Sequence, residues 1–137
     1  MAERGRTSPL DQEIQAAIAA GTAGLPMIGD GIASPGGTAL EFEISQTHSL
    51  VTLVAMIAPS PDWFVGVSAL PLFENGQWLA DRRIELAPWD AGTDSGSTFT
   101  SPDRAANPSA PISRILSAPL SPGGRVTPLG TFTFVRL

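Results

Sequence analysis

Three aspartates in two tight loops are the residues of this chain best suited to chemistry. Asp62 lies in the string Pro-Ser-Pro-Asp-Trp, and Asp90 and Asp94 lie in the string Pro-Trp-Asp-Ala-Gly-Thr-Asp-Ser-Gly. Carboxylates gathered at loop ends repel one another unless a proton, an arginine or a metal ion lies between them. The chain has no lysine, and its eight arginines lie mostly elsewhere in the sequence. These observations favour a calcium-type cation.

The loop chemistry fits such a cation but also has a simpler interpretation. Ca²⁺ binds several oxygens, usually from two or three carboxylates together with carbonyl groups and water. Gly92 and Gly96 would let backbone carbonyls turn inward. The loop lacks the twelfth-position glutamate and the flanking helices of a helix-loop-helix calcium site, so that motif is rejected. The alternative is that the three aspartates accept hydrogen bonds from backbone amides in Asx-type turns.

The first part of the chain predicts one helix followed by a long loop. Residues 8–20 place apolar side chains at three- and four-residue spacing, Ser8 can cap the helix, and Gly21 can end it. Residues 21–37 are rich in glycine and proline and predict a loop.

From residue 38 the pattern changes to that of β-strands. The apolar run 48–58 predicts a central strand that is covered on both faces. Asn75-Gly76 predicts a hairpin, in which residues 78–86 return antiparallel to 63–73. The predicted strands are 40–44, 48–58, 63–73, 78–86, 98–100, 112–116 and 131–137.

Short strands separated by turns predict a mostly β fold, an antiparallel β-sandwich with one short N-terminal helix. The chain has 137 residues, so we expect a single domain over 1–137, with the sandwich in residues 38–137. Loops at one end of a sandwich cluster in space, which would bring Asp62 and Asp90 together.

Composition excludes several functions. The net charge of −5 disfavours nucleic acid as a partner, and no apolar run is long enough for membrane insertion. The chain has no cysteine, so it has neither disulfides nor thiolate metal sites. His48 is the one histidine and is expected to be structural. Two alternatives remain open, a metal-assisted hydrolase that uses the same carboxylates and a calcium-dependent lipid- or sugar-binding module.

The strings PSPDWFVGV and PWDAGTDSG, with His-Ser-Leu-Val at residues 48–51, closely resemble the spondin N-terminal domain of the F-spondin and mindin type. The resemblance is dense over residues 38–117. It implies a C2-like β-sandwich that holds Ca²⁺ at one end, with Glu43, Asp62 and Asp90 as ligands. Residue reasoning alone cannot choose Glu43, because alternation places Glu41 on the same face. Asp94 is expected to support the site, by orienting Asp90 or through a water molecule.

The resemblance also implies a biological setting. It predicts a non-enzymatic module for adhesion or ligand binding, secreted or in the cell envelope, with an extracellular protein or a matrix or surface component as partner. Arginine without lysine and many alanines indicate a bacterial member. The polar start does not read as a signal peptide. We expect that the family's leading strand is absent, which would leave an unpaired edge strand and permit homo-oligomers.

Overall fold

The computed structural model describes residues 8–137, so the polar start at residues 1–7 and its part in the predicted single domain lie outside it. The described chain divides into two compact units, residues 8–49 and residues 50–137. None of the helices in residues 8–137 has the length and apolar character needed to span a membrane.

The unit of residues 8–49 contains the predicted helix. Helix α1 spans Leu10–Ala19. Its N-cap is Pro9 and no side chain caps it, so the predicted capping role of Ser8 is wrong. The predicted end at Gly21 is confirmed. That residue has φ of +72°, and the N–H of Thr22 donates to the carbonyl of Ala17 at 2.9 Å, which closes the helix as in a Schellman motif.

The rest of this unit has no regular strand. The predicted loop at 21–37 is confirmed, but residues 40–44 do not form the predicted strand. Glu41 and Glu43 are exposed while Phe42 and Ile44 are half-buried, so the predicted two faces exist. Alternation separates two faces but does not supply a neighbouring strand with which the backbone can pair. One isolated bridge joins Ser45 and His48.

The unit of residues 50–137 is an antiparallel β structure, which confirms the predicted fold class. Its strands form a four-stranded sheet in the order β1-β2-β6-β7 and the two-stranded sheets β3-β4 and β5-β8. The strands are β1 (Leu50–Met56), β2 (Trp63–Pro71), β3 (Phe73–Glu74), β4 (Gln77–Trp78), β5 (Asp81–Glu85), β6 (Pro88–Asp90), β7 (Ser113–Arg114) and β8 (Thr131–Val135). A 3₁₀ turn spans Pro122–Gly124.

Strand β1 shows that apolar character does not fix a strand's place in a sheet. The prediction of a central strand is wrong, because β1 lies at one end of the four-stranded sheet and pairs with β2 alone. Its side chains are half-buried or exposed, and Leu50 is 59% exposed. The apolar pattern reports which faces are covered, not whether both edges are paired.

The predicted hairpin is confirmed at its turn and wrong beyond it. Asn75 and Gly76 have φ of +52° and +80°, as a tight two-residue turn between β3 and β4 requires. The N–H of Leu79 still donates to the carbonyl of Leu72 at 2.9 Å. The chain then leaves β2, whose neighbours are β1 and β6, and β5 pairs with β8.

The chain after β6 differs in part from the predicted strands. The predicted strand at 98–100 is wrong, since these residues form a turn, and residues 101–110 form a loop without a regular strand. Strand β7 is shorter than the predicted 112–116. The most buried apolar side chains form the core of this unit, namely Trp63, Leu70, Leu72, Leu86 and Ile115.

Candidate metal site

Strand pairing brings Asp62 and Asp90 to the same end of the four-stranded sheet. Asp62 immediately precedes β2, and Trp63, the first residue of β2, pairs with Asp90, the last residue of β6. The N–H of Ala91 also donates to the main-chain carbonyl of Asp62 at 3.3 Å. Two carboxylates that are distant in sequence thereby become neighbours.

Asp62 is the most unusual side chain in this group. It is 0% exposed, and all three hydrogen bonds to its carboxylate go to Oδ2. The donors are the N–H of Thr93 at 2.6 Å, the hydroxyl of Thr93 at 3.0 Å and the N–H of Asp94 at 2.9 Å. The other oxygen, Oδ1, is buried without a hydrogen-bond partner. Because leaving a buried carboxylate oxygen unsatisfied costs free energy, Oδ1 is the atom of this site best placed to bind a ligand.

Asp90 is half-buried, and its surroundings disfavour the ionised form of its carboxyl group. Its Oδ1 accepts the N–H of Gly92 at 2.7 Å. Burial raises the pKa of the Asp90 carboxyl above its ordinary value, and the charges of Asp62 and Asp94 raise it further. The hydrogen bonds from Gly92 and the Trp63 indole only partly offset these effects on the pKa. A cation beside Asp90 would stabilise the ionised carboxylate and so lower its pKa.

Asp94 has a different role, since both of its oxygens are engaged. It is 4% exposed; Oδ1 accepts the N–H of Gly96 at 2.6 Å and Oδ2 the N–H of Arg104 at 2.6 Å. The Asx-type alternative therefore holds for Asp90 and Asp94, each of which accepts an amide two residues later. Through its own N–H, Asp94 contacts Asp62 rather than Asp90.

Close packing leaves no room for a side chain at Gly92 or at Gly96. Gly92 has φ of +74°, and a Cβ there would collide with the carbonyl of Ala110. A Cβ at Gly96 would lie 2.5 Å from Cγ of Pro61. The carbonyl of Gly92, which was expected to turn inward, accepts the N–H of Ala110 at 2.8 Å. It therefore stabilises the loop through a backbone hydrogen bond.

Aromatic side chains and a small pocket adjoin the carboxylates. Trp63 is 3% exposed and its ring meets that of Phe99 edge-on at 5.4 Å, as expected for a tryptophan of the core. Arg114 lies over the ring of Trp89 at 5.0 Å. A pocket of about 220 Å³ is lined by Trp63, Asp90, Gly96, Ser97, Ser113, Arg114, Ile115, Leu116 and Ser117.

Glu43 and His48 belong to the unit of residues 8–49. Glu43 is exposed there. The His48 ring contacts the Thr47 hydroxyl and the Gly21 carbonyl, each at 3.2 Å, in keeping with a structural role. Within residues 8–137, no three His, Asp or Glu side chains stand as a ready metal-binding group. A role for Glu43 as third ligand stays a prediction.

Thr93 is the residue of the site that sequence reasoning missed. Its backbone and side chain both contact Asp62, which lies 31 residues earlier in the chain. No local pattern carries this information, because a threonine between glycine and aspartate fits any polar turn. The pairing of β2 with β6 is what brings the two residues together.

Known proteins resemble this chain over nearly its whole length. The family model described as Spondin_N matches residues 1–123. Spondin-2 of Rattus norvegicus is 40% identical over 150 residues, which cover 99% of this chain and 44% of that protein. Spondin-2 of Homo sapiens is 40% identical over 141 residues, or 99% of this chain and 40% of that protein. Spondin-1 of Rattus norvegicus is 37% identical over 105 residues, which cover 71% of this chain and 13% of that protein. The chain spans less than half the length of these relatives.

Proposed function

The chain belongs to the spondin N-terminal domain family, and from this premise we propose that it is a calcium-binding β-sandwich module for adhesion or ligand binding. The module acts outside the cell or in the cell envelope, and its partner is an extracellular protein or a matrix or surface component. It works by binding and not by catalysis.

One observation carries the calcium proposal, the buried Oδ1 of Asp62 next to the carboxylate of Asp90. The first has no hydrogen-bond partner, and the second has a raised pKa because of burial and neighbouring negative charge. A divalent cation relieves both conditions at once, and carboxylate oxygens are the donors that Ca²⁺ prefers. Asp62 and Asp90 would hold the ion, and the family resemblance adds Glu43 as third carboxylate.

Calcium would supply structural order rather than reactivity. A metal-assisted hydrolase needs a general base near the ion in addition to the ligands. Both ring nitrogens of the single histidine, His48, already have contacts to Thr47 and Gly21. The carboxylate of Asp94 is occupied by two backbone amides. These assignments favour a binding module whose ion fixes the loops before β2 and after β6.

The experiment is thermal unfolding of the protein in millimolar Ca²⁺, in millimolar Mg²⁺ and in EGTA. Extracellular calcium modules bind with dissociation constants of about 10⁻⁴–10⁻³ M. With a constant near 10⁻⁴ M, millimolar Ca²⁺ stabilises the fold by about 1.4 kcal/mol, which raises the melting temperature by several degrees. Mg²⁺ should have a smaller effect, because it prefers a rigid octahedral site and retains its water. An identical midpoint in Ca²⁺ and EGTA would refute the proposal.

The partner class has its own test. Immobilised matrix proteins, liposomes and a glycan array are compared as targets, each in Ca²⁺ and in EGTA. Calcium-dependent capture by the immobilised matrix proteins supports the adhesion proposal. Capture confined to liposomes or glycans would replace it by lipid or sugar binding.

A further inference from the structure

We propose that Thr93 is a positioning residue that holds the Asp62 carboxylate with Oδ1 directed to the cation. The inference rests on the proposed function and adds a determinant of affinity that does not itself touch the ion. Thr93 provides two of the three donors to Oδ2, one from its backbone and one from its hydroxyl.

The carboxylate of Asp62 has a limited number of acceptor positions. An ionised carboxylate offers about four lone-pair sites over two oxygens. Three donors converge on Oδ2 of Asp62, which leaves no room there for a further ligand. The remaining capacity lies at Oδ1, which is buried and has no hydrogen-bond partner. The donors thus determine which oxygen is presented.

The same donors also fix the orientation of the Asp62 carboxylate. The terminal torsion of aspartate is broad and two-fold, so an unrestrained carboxylate can rotate and exchange its oxygens. The hydroxyl of Thr93 contacts Oδ2 from the side chain, while the N–H groups of Thr93 and Asp94 contact it from the backbone. An oxygen fixed in this way loses little freedom when an ion binds, and partners of this kind commonly change metal affinity by about 10–100-fold.

The competing explanation is that the Thr93 hydroxyl only ties its loop to Asp62. Removing the hydroxyl would then lower the stability of the protein by the same amount with and without Ca²⁺. The affinity of the folded protein for Ca²⁺ would not change. Affinity measured well below the melting temperature therefore separates positioning from a purely structural contact.

The test is isothermal titration of Ca²⁺ into the wild type and into three variants. Thr93→Val is nearly isosteric and removes the hydroxyl, whereas Thr93→Ser keeps it. Thr98→Val is the matched control, since the Thr98 hydroxyl contacts Ser101 at 2.8 Å in the same loop and has no hydrogen bond to Asp62. We expect the valine variant at residue 93 to bind about 10-fold more weakly, the serine variant to bind within about 3-fold of wild type, and the control to bind as wild type does.

Each outcome decides between the explanations. Equal affinity of Thr93→Val and wild type would overturn the inference while leaving the proposed function intact. If Thr93→Val does not fold, Thr93→Ala removes the hydroxyl in its place, and equal affinity of a folded Thr93→Ala variant and wild type would overturn the inference. Loss of affinity in a folded Thr93→Ser variant would also overturn it, because that variant keeps the hydroxyl. A wild type that binds no Ca²⁺ would refute the proposed function itself, and the inference would fall with it.

Discussion

The N–H of Asp94 lies 2.9 Å from Oδ2 of Asp62, so the backbone of one buried aspartate fixes the side chain of another. The two carboxylates differ in whether each of their oxygens has a hydrogen-bond partner. Both oxygens of Asp94 accept backbone amides, whereas Oδ1 of Asp62 has no partner. The first aspartate builds the loop, and the second offers an oxygen to a ligand. Neutralising each acidic residue should therefore have different consequences.

Neutralising the proposed ligands should abolish the stabilisation by calcium. We expect Asp62→Asn, Asp90→Asn and Glu43→Gln each to melt at the same temperature in Ca²⁺ and in EGTA, because each removes a carboxylate from the ion. Glu41→Gln is the matched control and should keep the full shift of about 1.4 kcal/mol. A calcium shift that persists in Glu43→Gln but disappears in Glu41→Gln would show that the third ligand is Glu41 and not Glu43.

Asp94→Asn should destabilise the protein whether or not calcium is present. Both oxygens of Asp94 accept an N–H, and the amide group of asparagine would place a donor against one of those donors. We expect a loss of about 1–3 kcal/mol in the free energy of unfolding, measured in urea with EGTA. In Asp90→Asn, by contrast, the remaining oxygen can still accept the N–H of Gly92, and the substitution removes a charge that burial and the neighbouring aspartates oppose. Equal losses in the two variants would contradict this distinction.

The raised pKa of Asp90 predicts a pH dependence in EGTA. The folded protein binds the proton of Asp90 more tightly than the unfolded chain, whose pKa is near 3.8. The contribution of Asp90 to stability is therefore greatest below 3.8 and is lost as pH rises through the raised pKa. Relative to Asp90→Asn, the wild type should gain free energy of unfolding as pH falls from about 7 to about 4. Urea unfolding of both proteins checks the sign, and a parallel pH profile would contradict it.

The convergence of Asp62 and Asp90 could be predicted because each follows from a strand boundary. Asp62 immediately precedes β2, Asp90 ends β6, and neighbouring loops of a sandwich meet at its ends. The contact between Thr93 and Asp62 could not be predicted, since it depends on which strands pair and not on local pattern. The Thr98–Thr100 segment shows the same limit. Its alternation predicts a strand, but the Thr98 hydroxyl bonds to Ser101 and Phe99 packs on Trp63, which makes it a turn.

Gly92→Ala should be far more damaging than Gly76→Ala. Both residues have positive φ, +74° and +80°, so alanine pays the left-handed backbone penalty of about 1–2 kcal/mol at each. At Gly92 the added methyl group also collides with the carbonyl of Ala110, whereas at Gly76 nothing lies within 4 Å. The difference in free energy of unfolding between the two variants measures the cost of that collision. Equal destabilisation would show that the loop after β6 relaxes freely.

The outer edge of β1 should support self-association. Residues 50–56 of the described chain pair with β2 alone, carry no charged side chain and include the exposed Leu50 and Ala55. Uncharged, unpaired edges are open to pairing with another chain. We expect light scattering to report a mass that rises with concentration. Ala55→Lys, which places a charge on this edge, should lower that mass, while Ser109→Lys in the exposed loop at 101–110 should not. A monomeric mass at all concentrations would show that this edge does not pair in solution.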